Sequence, residues 1–491
     1  MSSLQDRKGF MWFGTKDGLN RFDGYSFRTF RNNPDDTLSL GNNFIYDLYE
    51  DQQGNLWIGT EKGLYQYDAT TEHFTTVTGT ENFQINEIAR DTKGNLWFIS
   101  GFSLFKYSLA TGQLTAYTIE QYFHATSVCT TRDGAVWVAT SDGQLKNYNH
   151  AQNAFLSFNV FENTNAGITK WIEKVYCSTD GTLWIGTQQG AKIFNLITNT
   201  YKDIPLHNPT KTDLFVRNFL QTSEDEIWMG TESGIFIYNT TSGKSINLRK
   251  KYNDPFSISD NAVYSFCKDK EGGIWVGTYF GGINYHPQQY TPFQKLFPKT
   301  GENSLSGNVV REVQEDAKGN LWIGTEDAGL NKWNKATGQF THFAPVGTKG
   351  SLSYSNIHGL LVKGNELWIG TFEHGLDVMN IETGKVTKHY STANQPHLKS
   401  NFIYCLYQSA EGEIMMGTTI GAYVFNPQNG LFTPLPNMPL YNWYTTLKKD
   451  EEGILWAGTF GNGVNYYNTQ TGQSGNFRYN AADKNSLSSD F

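Results

Sequence analysis

An all-β fold of four-stranded blades set in tandem rings is what this sequence predicts, on three observations. A tryptophan-centred unit returns at a nearly fixed spacing through the whole chain. Between its copies lie short apolar and aromatic runs broken by Gly, Asp and Asn, the pattern of strands and tight turns. No stretch shows the 3.6-residue periodicity of an amphipathic helix. The composition agrees: 15% of the 491 residues are aromatic and 49 are glycine, a mixture that suits pleated strands joined by turns.

The unit reads D-x-x-G-x-(aliphatic)-W-x-G-T-x-x-G-(aliphatic). It is plainest as GNLWIGT at residues 54–60 and, letter for letter, at 319–325. Its tryptophan column is Trp12, Trp57, Trp97, Trp137, Trp184, Trp228, Trp275, Trp322 and Trp368, then Met415, then Trp456. Eleven copies about 44 residues apart fit the period of four-stranded propeller blades. Residues 43–78 parse as one unit: NFIYDLYED, LWIGT, LYQYD and HFTTVT are strands, and DQQGN, EKG and ATTE are turns.

Each element of the unit has a physical reason. A tryptophan at one place in every second strand is a packing position, and burying it stabilises a blade by at most about 4–6 kcal/mol. Met415 fills the column once because that position asks for bulk. The Gly-Thr after it lets neighbouring blades approach closely and turns the strand out. The recurring Asp6, Asp51, Asp91, Asp269 and Asp316 cap the D-x-x-G turns. Cys129, Cys177, Cys267 and Cys405 lack CxxC spacing and read as buried small hydrophobes.

Rings of blades close at four to eight, so eleven copies need two. The seam falls in GGINYHPQQYTPFQKLFPKTGENSLSG, which carries Pro287, Pro292 and Pro298. The expected domains are residues 1–298, a seven-bladed ring from Trp12 to Trp275, and residues 299–491, four blades of a second, truncated ring. MSSLQDRKG holds only the tail of an inner strand and KNSLSSDF begins another, the pattern of a fragment. An open ring exposes two blade faces, so residues 304–491 are expected to be the less stable part.

The string D-x-x-G-x-x-W-x-G-T-x-x-G-L, preceded by N-S-L-S-x-N, resembles the two-component regulator propeller, and SLQDRKGFMWFGTKDGLNRFDGYSF resembles its first blade. The resemblance covers essentially the whole chain. It implies the periplasmic sensor region of a hybrid two-component histidine kinase of glycan-degrading gut bacteria. Such receptors carry two seven-bladed propellers, an immunoglobulin-like domain, a membrane span, a kinase, a receiver and a DNA-binding region. On that resemblance about eleven of fourteen blades are present, the ligand is a glycan oligosaccharide and the receptor is a homodimer. Membrane anchoring comes only through downstream segments, and the controlled genes serve polysaccharide use.

The residues alone point to no enzyme, cofactor or metal. HExxH, nucleophile-elbow, Walker A and kinase signatures are missing. The net charge of −8 argues against nucleic acid over the whole surface. No apolar run reaches the roughly 20 residues of a membrane span, and the N-terminus has no hydrophobic signal segment. Function is therefore sought where the copies differ. Counting back from the column tryptophan, positions −12 and −9 are apolar, while −11 and −10 vary near the mouth of the central channel. They supply Tyr46, Glu173, Arg217, Tyr264 and Arg311 as ligand-binding candidates. The longer turns after Gly-Thr add Tyr279 and Phe280, and Phe372 and His374; off-column Trp171 and Trp443 join them. Aromatic faces beside polar groups suit sugar rings. A propeller lyase or glycoside hydrolase built on Tyr46, Glu173, Arg217 and Tyr264 stays open, as does a protein-interaction scaffold.

Overall fold

The computed structural model describes residues 2–117, 124–162, 169–204, 206, 214–288 and 293–491. Among these residues the regular elements are all strands, and they form eleven antiparallel sheets, ten of four strands and one of three, each a meander in chain order. The unit parsed at 43–78 is typical: Ile45–Glu50, Leu56–Thr60, Gly63–Tyr67 and Phe74–Thr76. The chain divides into two compact units, Met1–Pro292 and Phe293–Phe491. Leu296 packs on Leu305, Ile323 and Trp333, which draws the segment before residue 298 into the second unit and sets the division ahead of the expected 298/299. Of the seam prolines, Pro292 lies outside the described residues.

In the first unit seven inner strands pack each on the next. They are Ser2–Gln5, Ile45–Glu50, Glu87–Arg90, Ala125–Thr130, Ile172–Cys177, Val216–Ser223 and Val263–Lys268. The last packs on the first, so the circle closes. At the closure Lys270 N donates to Gln5 Oε1 at 2.6 Å and Lys270 Nζ to the Arg7 carbonyl at 2.7 Å. The ring of Phe13 lies 5.5 Å from Trp275. In the second unit Val310–Glu315, Ile357–Lys363, Ile403–Gln408 and Tyr444–Lys449 pack in succession.

Column side chains reach onto the following blade, except Trp456 in the last sheet. Trp12 packs with Leu48 and Ile58, Trp97 with Val128 and Val138, and Trp368 with Ile414 and Met416. Met415 fills the same place against Leu447 and Leu455. The neighbouring glycine is a hole for the next blade's first apolar residue. A methyl group on Gly59 would sit 2.9 Å from Ile85 Cγ2, and one on Gly370 2.8 Å from Ile403 Cγ2, both too close for real Cβ atoms. The threonine then closes its hairpin: Thr60 Oγ1 donates to the Gly63 carbonyl at 2.9 Å, and Thr371 Oγ1 to that of Gly375 at 2.7 Å.

The turn aspartates do more than cap. Asp51 Oδ1 accepts from the backbone N–H groups of Gln53 and Asn55, while Oδ2 accepts the indole N–H of Trp57 at 3.1 Å. The same indole bond joins Asp6 to Trp12, Asp91 to Trp97, Asp269 to Trp275, Asp316 to Trp322 and Asp450 to Trp456, at 2.7–3.0 Å. Burial pushes the Asp91 carboxyl up, but hydrogen bonds from Asn95 and Trp97 outweigh it and hold the group below the ordinary carboxylate range. Two repeat columns thus form one device, a buried indole whose polar atom is satisfied by the turn ahead of it. The four cysteines are unpaired and half-buried rather than fully buried.

Candidate functional site

Most inner strands open with a β-bulge, and the bulged residue carries the variable side chain. In the first unit these residues are Tyr46, Thr126, Glu173, Arg217 and Tyr264. In the second they are Arg311, His358, Tyr404 and Thr445. A bulge breaks the alternation of a strand and re-aims one side chain. The next residue has a different task. Ile88 N donates to Asp47 Oδ2 at 2.8 Å, Val128 N to Glu87 Oε2 at 2.9 Å and Val175 N to Ser127 Oγ at 3.0 Å. Position −10 therefore ties blade to blade. Lys174 pairs with Glu87 there; burial would lower its pKa, but Glu87 and Asp47 outweigh that and raise it.

The bulged residue meets a partner in its own blade, in the turn just after Gly-Thr. Gln188 Nε2 donates to Glu173 Oε1 at 3.0 Å, and Arg217 Nε to Glu232 Oε1 at 2.8 Å, each across 15 residues of chain. Tyr264 lies 5.2 Å from Tyr279, ring centre to ring centre, and Arg311 NH1 lies 3.7 Å from Glu326 Oε1. Glu61, the corresponding residue of Tyr46, helps burial to raise that phenol's pKa.

These pairs join into an arc on the first unit. Arg217 NH1 reaches Glu173 Oε2 of the preceding blade at 3.3 Å, and Tyr264 OH donates to Glu232 Oε1 at 3.2 Å. The Arg217 guanidinium lies 5.3 Å from the Tyr264 ring centre. Burial would lower its pKa, but Glu173, Tyr264 and Glu232 raise it. Lys16 Nζ donates to Tyr279 OH at 2.7 Å and lies 5.8 Å from the ring centre of Phe44, which stacks on Tyr46 at 4.6 Å. Phe280 packs edge-on to Tyr279 and is 87% exposed. Tyr46, Glu173, Arg217, Tyr264, Tyr279 and Phe280 are thereby brought together. Trp171 stands apart from these contacts, 5.8 Å from Phe102, which in turn meets His124.

On the second unit Arg311, Phe372 and Trp443 belong to a mainly aromatic group. Arg311 bonds Tyr404 OH and lies 4.8 Å from that ring's centre. Trp443 contacts Phe402, Tyr404 and Phe460 at 4.7–5.8 Å. His374 is turned aside, stacked at 4.0 Å on Tyr354 with both rings nearly parallel. Sequence reasoning missed Lys16, Phe44, Gln188, Glu232, His358, Phe402 and Tyr404. Most of them stand in two columns, −11 and +4 from the tryptophan, whose variability was the available signal.

Glu173 and Glu232 both accept from one guanidinium. A cleft of about 500 Å³ lined by Trp228, Phe256, Tyr285 and His286 opens beside the three-stranded blade, away from every candidate residue.

Residues 39–62, 257–280 and 304–327 match the two component regulator propeller family. Those three stretches are similar to two-component regulator propeller repeats. A stretch of 36 residues is 56% identical to Histidine kinase P4 of Formosa agariphila, 7% of this chain and 3% of that protein. The chain thus matches only a small part of that relative's length. The extracellular domain of BT4673 from B. thetaiotaomicron, described once as a one component and once as a hybrid two component system, has a similar fold. Its two structures give a TM-score of 0.51, 21% and 20% identity, and coverage of 98% of this chain and 71% of that one. The closed circle of blades in the first unit agrees with that likeness of fold.

Proposed function

We propose that this chain is the extracytoplasmic ligand-sensing module of a two-component sensor histidine kinase. In this reading a glycan fragment binds at the mouth of the first unit, and a kinase elsewhere on the receptor converts binding into control of polysaccharide-utilisation genes. The regulator propeller repeats support the sensory class. The observation that carries the ligand class is the arc Glu173–Arg217–Glu232–Tyr264–Tyr279–Lys16, polar groups in a fixed network beside the exposed ring of Phe280. Such a surface offers hydrogen bonds to hydroxyl or acidic groups and an aromatic face to the C–H side of a pyranose. Periplasmic placement and a homodimeric receptor follow from the same reading.

Calorimetric titration with a panel of neutral, uronic and sulfated oligosaccharides tests it. At least one fragment is expected to bind, and Arg217→Ala to weaken that binding ~10-fold or more, since it unpairs two carboxylates. Tyr279→Ala is expected to weaken it by less. Turnover of a bound sugar would establish an enzyme instead, and silence across the panel a scaffold.

A further inference from the structure

We infer that the second unit has its own binding site, for an uncharged hydroxylated ring such as a neutral pyranose. The site is centred on His358 and Trp443. It rests on the reading that the chain senses glycan fragments and adds a second place and a narrower chemistry.

His358 is the bulged residue of its strand and only 8% exposed. Around it stand Phe402 at 4.8 Å, Tyr404 at 5.4 Å and Phe372 at 6.1 Å, centre to centre. Trp443 continues the wall through Phe402 and Tyr404, and Phe460, more than half exposed, stands on its outer side at 4.7 Å. Three consecutive blades supply these groups: His358 and Tyr404 at bulges, Phe372 and Phe460 in turns after Gly-Thr, and Phe402 and Trp443 just ahead of their inner strands.

Within this apolar wall two polar atoms have no hydrogen-bond partner among the described residues: His358 Nδ1 and the indole Nε1 of Trp443. Every other position of the wall could be explained by packing alone. These two cannot, because a buried polar atom left unmatched costs about 1–3 kcal/mol. Burial and the neighbouring Arg311 hold the His358 imidazole below its ordinary pKa, so it is neutral at pH 7 and one of its ring nitrogens is an acceptor. The indole N–H only donates. Hydroxyl groups, which both donate and accept, are the ligand groups that can serve either atom.

Charge narrows the ligand further. An aromatic enclosure invites cations, but the Arg311 guanidinium lies 4.8 Å from the Tyr404 ring centre and repels them. It gives little to an anion, since Glu326 and Tyr404 OH already engage it. A purely apolar ligand would bury the two polar atoms unmatched. What remains is a neutral ring with apolar faces and hydroxyls on its edge. The first unit's mouth, with Arg217 and Lys16 set among carboxylates, is of the opposite character.

The test is titration of the full chain with maltose, cellobiose, xylobiose and laminaribiose, read by calorimetry and tryptophan fluorescence. His358→Phe and Trp443→Phe are the variants, each checked for an unchanged melting temperature. Both keep a ring while removing the polar atom, so packing is preserved in at least one of them. A neutral disaccharide is expected to bind, with ~10-fold weaker binding in each folded variant and binding within about twofold of wild type in Ile197→Ser, a change at a 92% exposed side chain of the first unit. Unchanged affinity in both His358→Phe and Trp443→Phe overturns the proposal. So does failure of all four neutral sugars while uronic or sulfated fragments bind at the Arg217 mouth, an outcome that leaves the first reading standing. Neutral binding that depends on His358 and Trp443 while Arg217→Ala and Tyr279→Ala change no titration supports this site and removes the first. Absence of binding to every sugar overturns both.

Discussion

In the first unit Val263 and Phe266, which lead the inner strand of the last blade, are 0% and 8% exposed; in the second unit Val310 and Val313, their counterparts, are 46% and 48% exposed. The residue types scarcely differ. What differs is the neighbour: Val263 sits in the hole at Gly230 of the preceding blade, where an added methyl group would lie 2.9 Å from its Cγ1. Val310 belongs to the first sheet of its arc. The far end of that arc shows the complementary feature. A methyl group on Gly458 would meet only Thr446 and Thr445 of its own blade, and Trp456 is half-buried where Trp97 is fully buried. One knob and one hole stand unmated at opposite ends of the arc. Blade stability is thus a nearest-neighbour quantity, which makes the two units a matched experiment.

The largest contrast is expected at the column. Trp97→Ala removes a fully buried indole and should cost about 3–5 kcal/mol, while Trp456→Ala should cost less than half as much. Urea unfolding with hydrogen exchange resolved by unit measures both, and equal costs would break the comparison. Next in size, Gly370→Ala drives a methyl group onto Ile403 and should destabilise by about 1–3 kcal/mol. Gly458→Ala need only displace the Thr446 methyl group and should cost several-fold less.

Acid supplies a smaller test. Hydrogen bonds outweigh burial at Asp91, Asp51 and Asp316, and at Asp450 the Trp456 indole leads the effect; all four carboxyls are held below their ordinary value. A depressed carboxylate contributes stability that is complete above its unfolded pKa and is lost as pH falls through its folded one. Melting temperatures should therefore drop on acidification below about pH 4, and Asp91→Asn should flatten that dependence for the first unit only. Smallest of all, Val310→Ser should change stability by no more than about 0.5 kcal/mol. Val263→Ser should be clearly destabilising, and parity between them would mean that the exposed face is covered in solution.

The parts legible in the sequence were those fixed by spacing. Trp12 to Trp456 counted the blades because each indole must reach the next blade at the same height, and GNLWIGT marked the strand that carries it. The bond from Asp51 to Trp57 was not legible as a bond, since it exists only once the hairpin folds the two together. Position −10 misled for a similar reason: Asp47, Glu87 and Ser127 vary like ligand residues, yet each accepts from the next blade's backbone. A bulge at a non-glycine residue leaves no mark in the sequence, so the separate duties of Tyr46 and Asp47 could not be told apart. Glu232 and Gln188 escaped because attention went to the longer turns, whereas the residue after Gly-Thr meets the bulge in short turns as well.

The pairing of bulge and turn has a consequence for how such a surface can change. Arg217 with Glu232, Glu173 with Gln188, and Tyr264 with Tyr279 are each a two-letter word written by one blade, and none of these letters stands in the tryptophan column or at position −10. A word can be rewritten without disturbing the grammar that holds the circle shut. Adjacent words touch, as Arg217 touches Glu173, so specificity resides in phrases of neighbouring blades, and the invariant scaffold is what allows the phrases to vary.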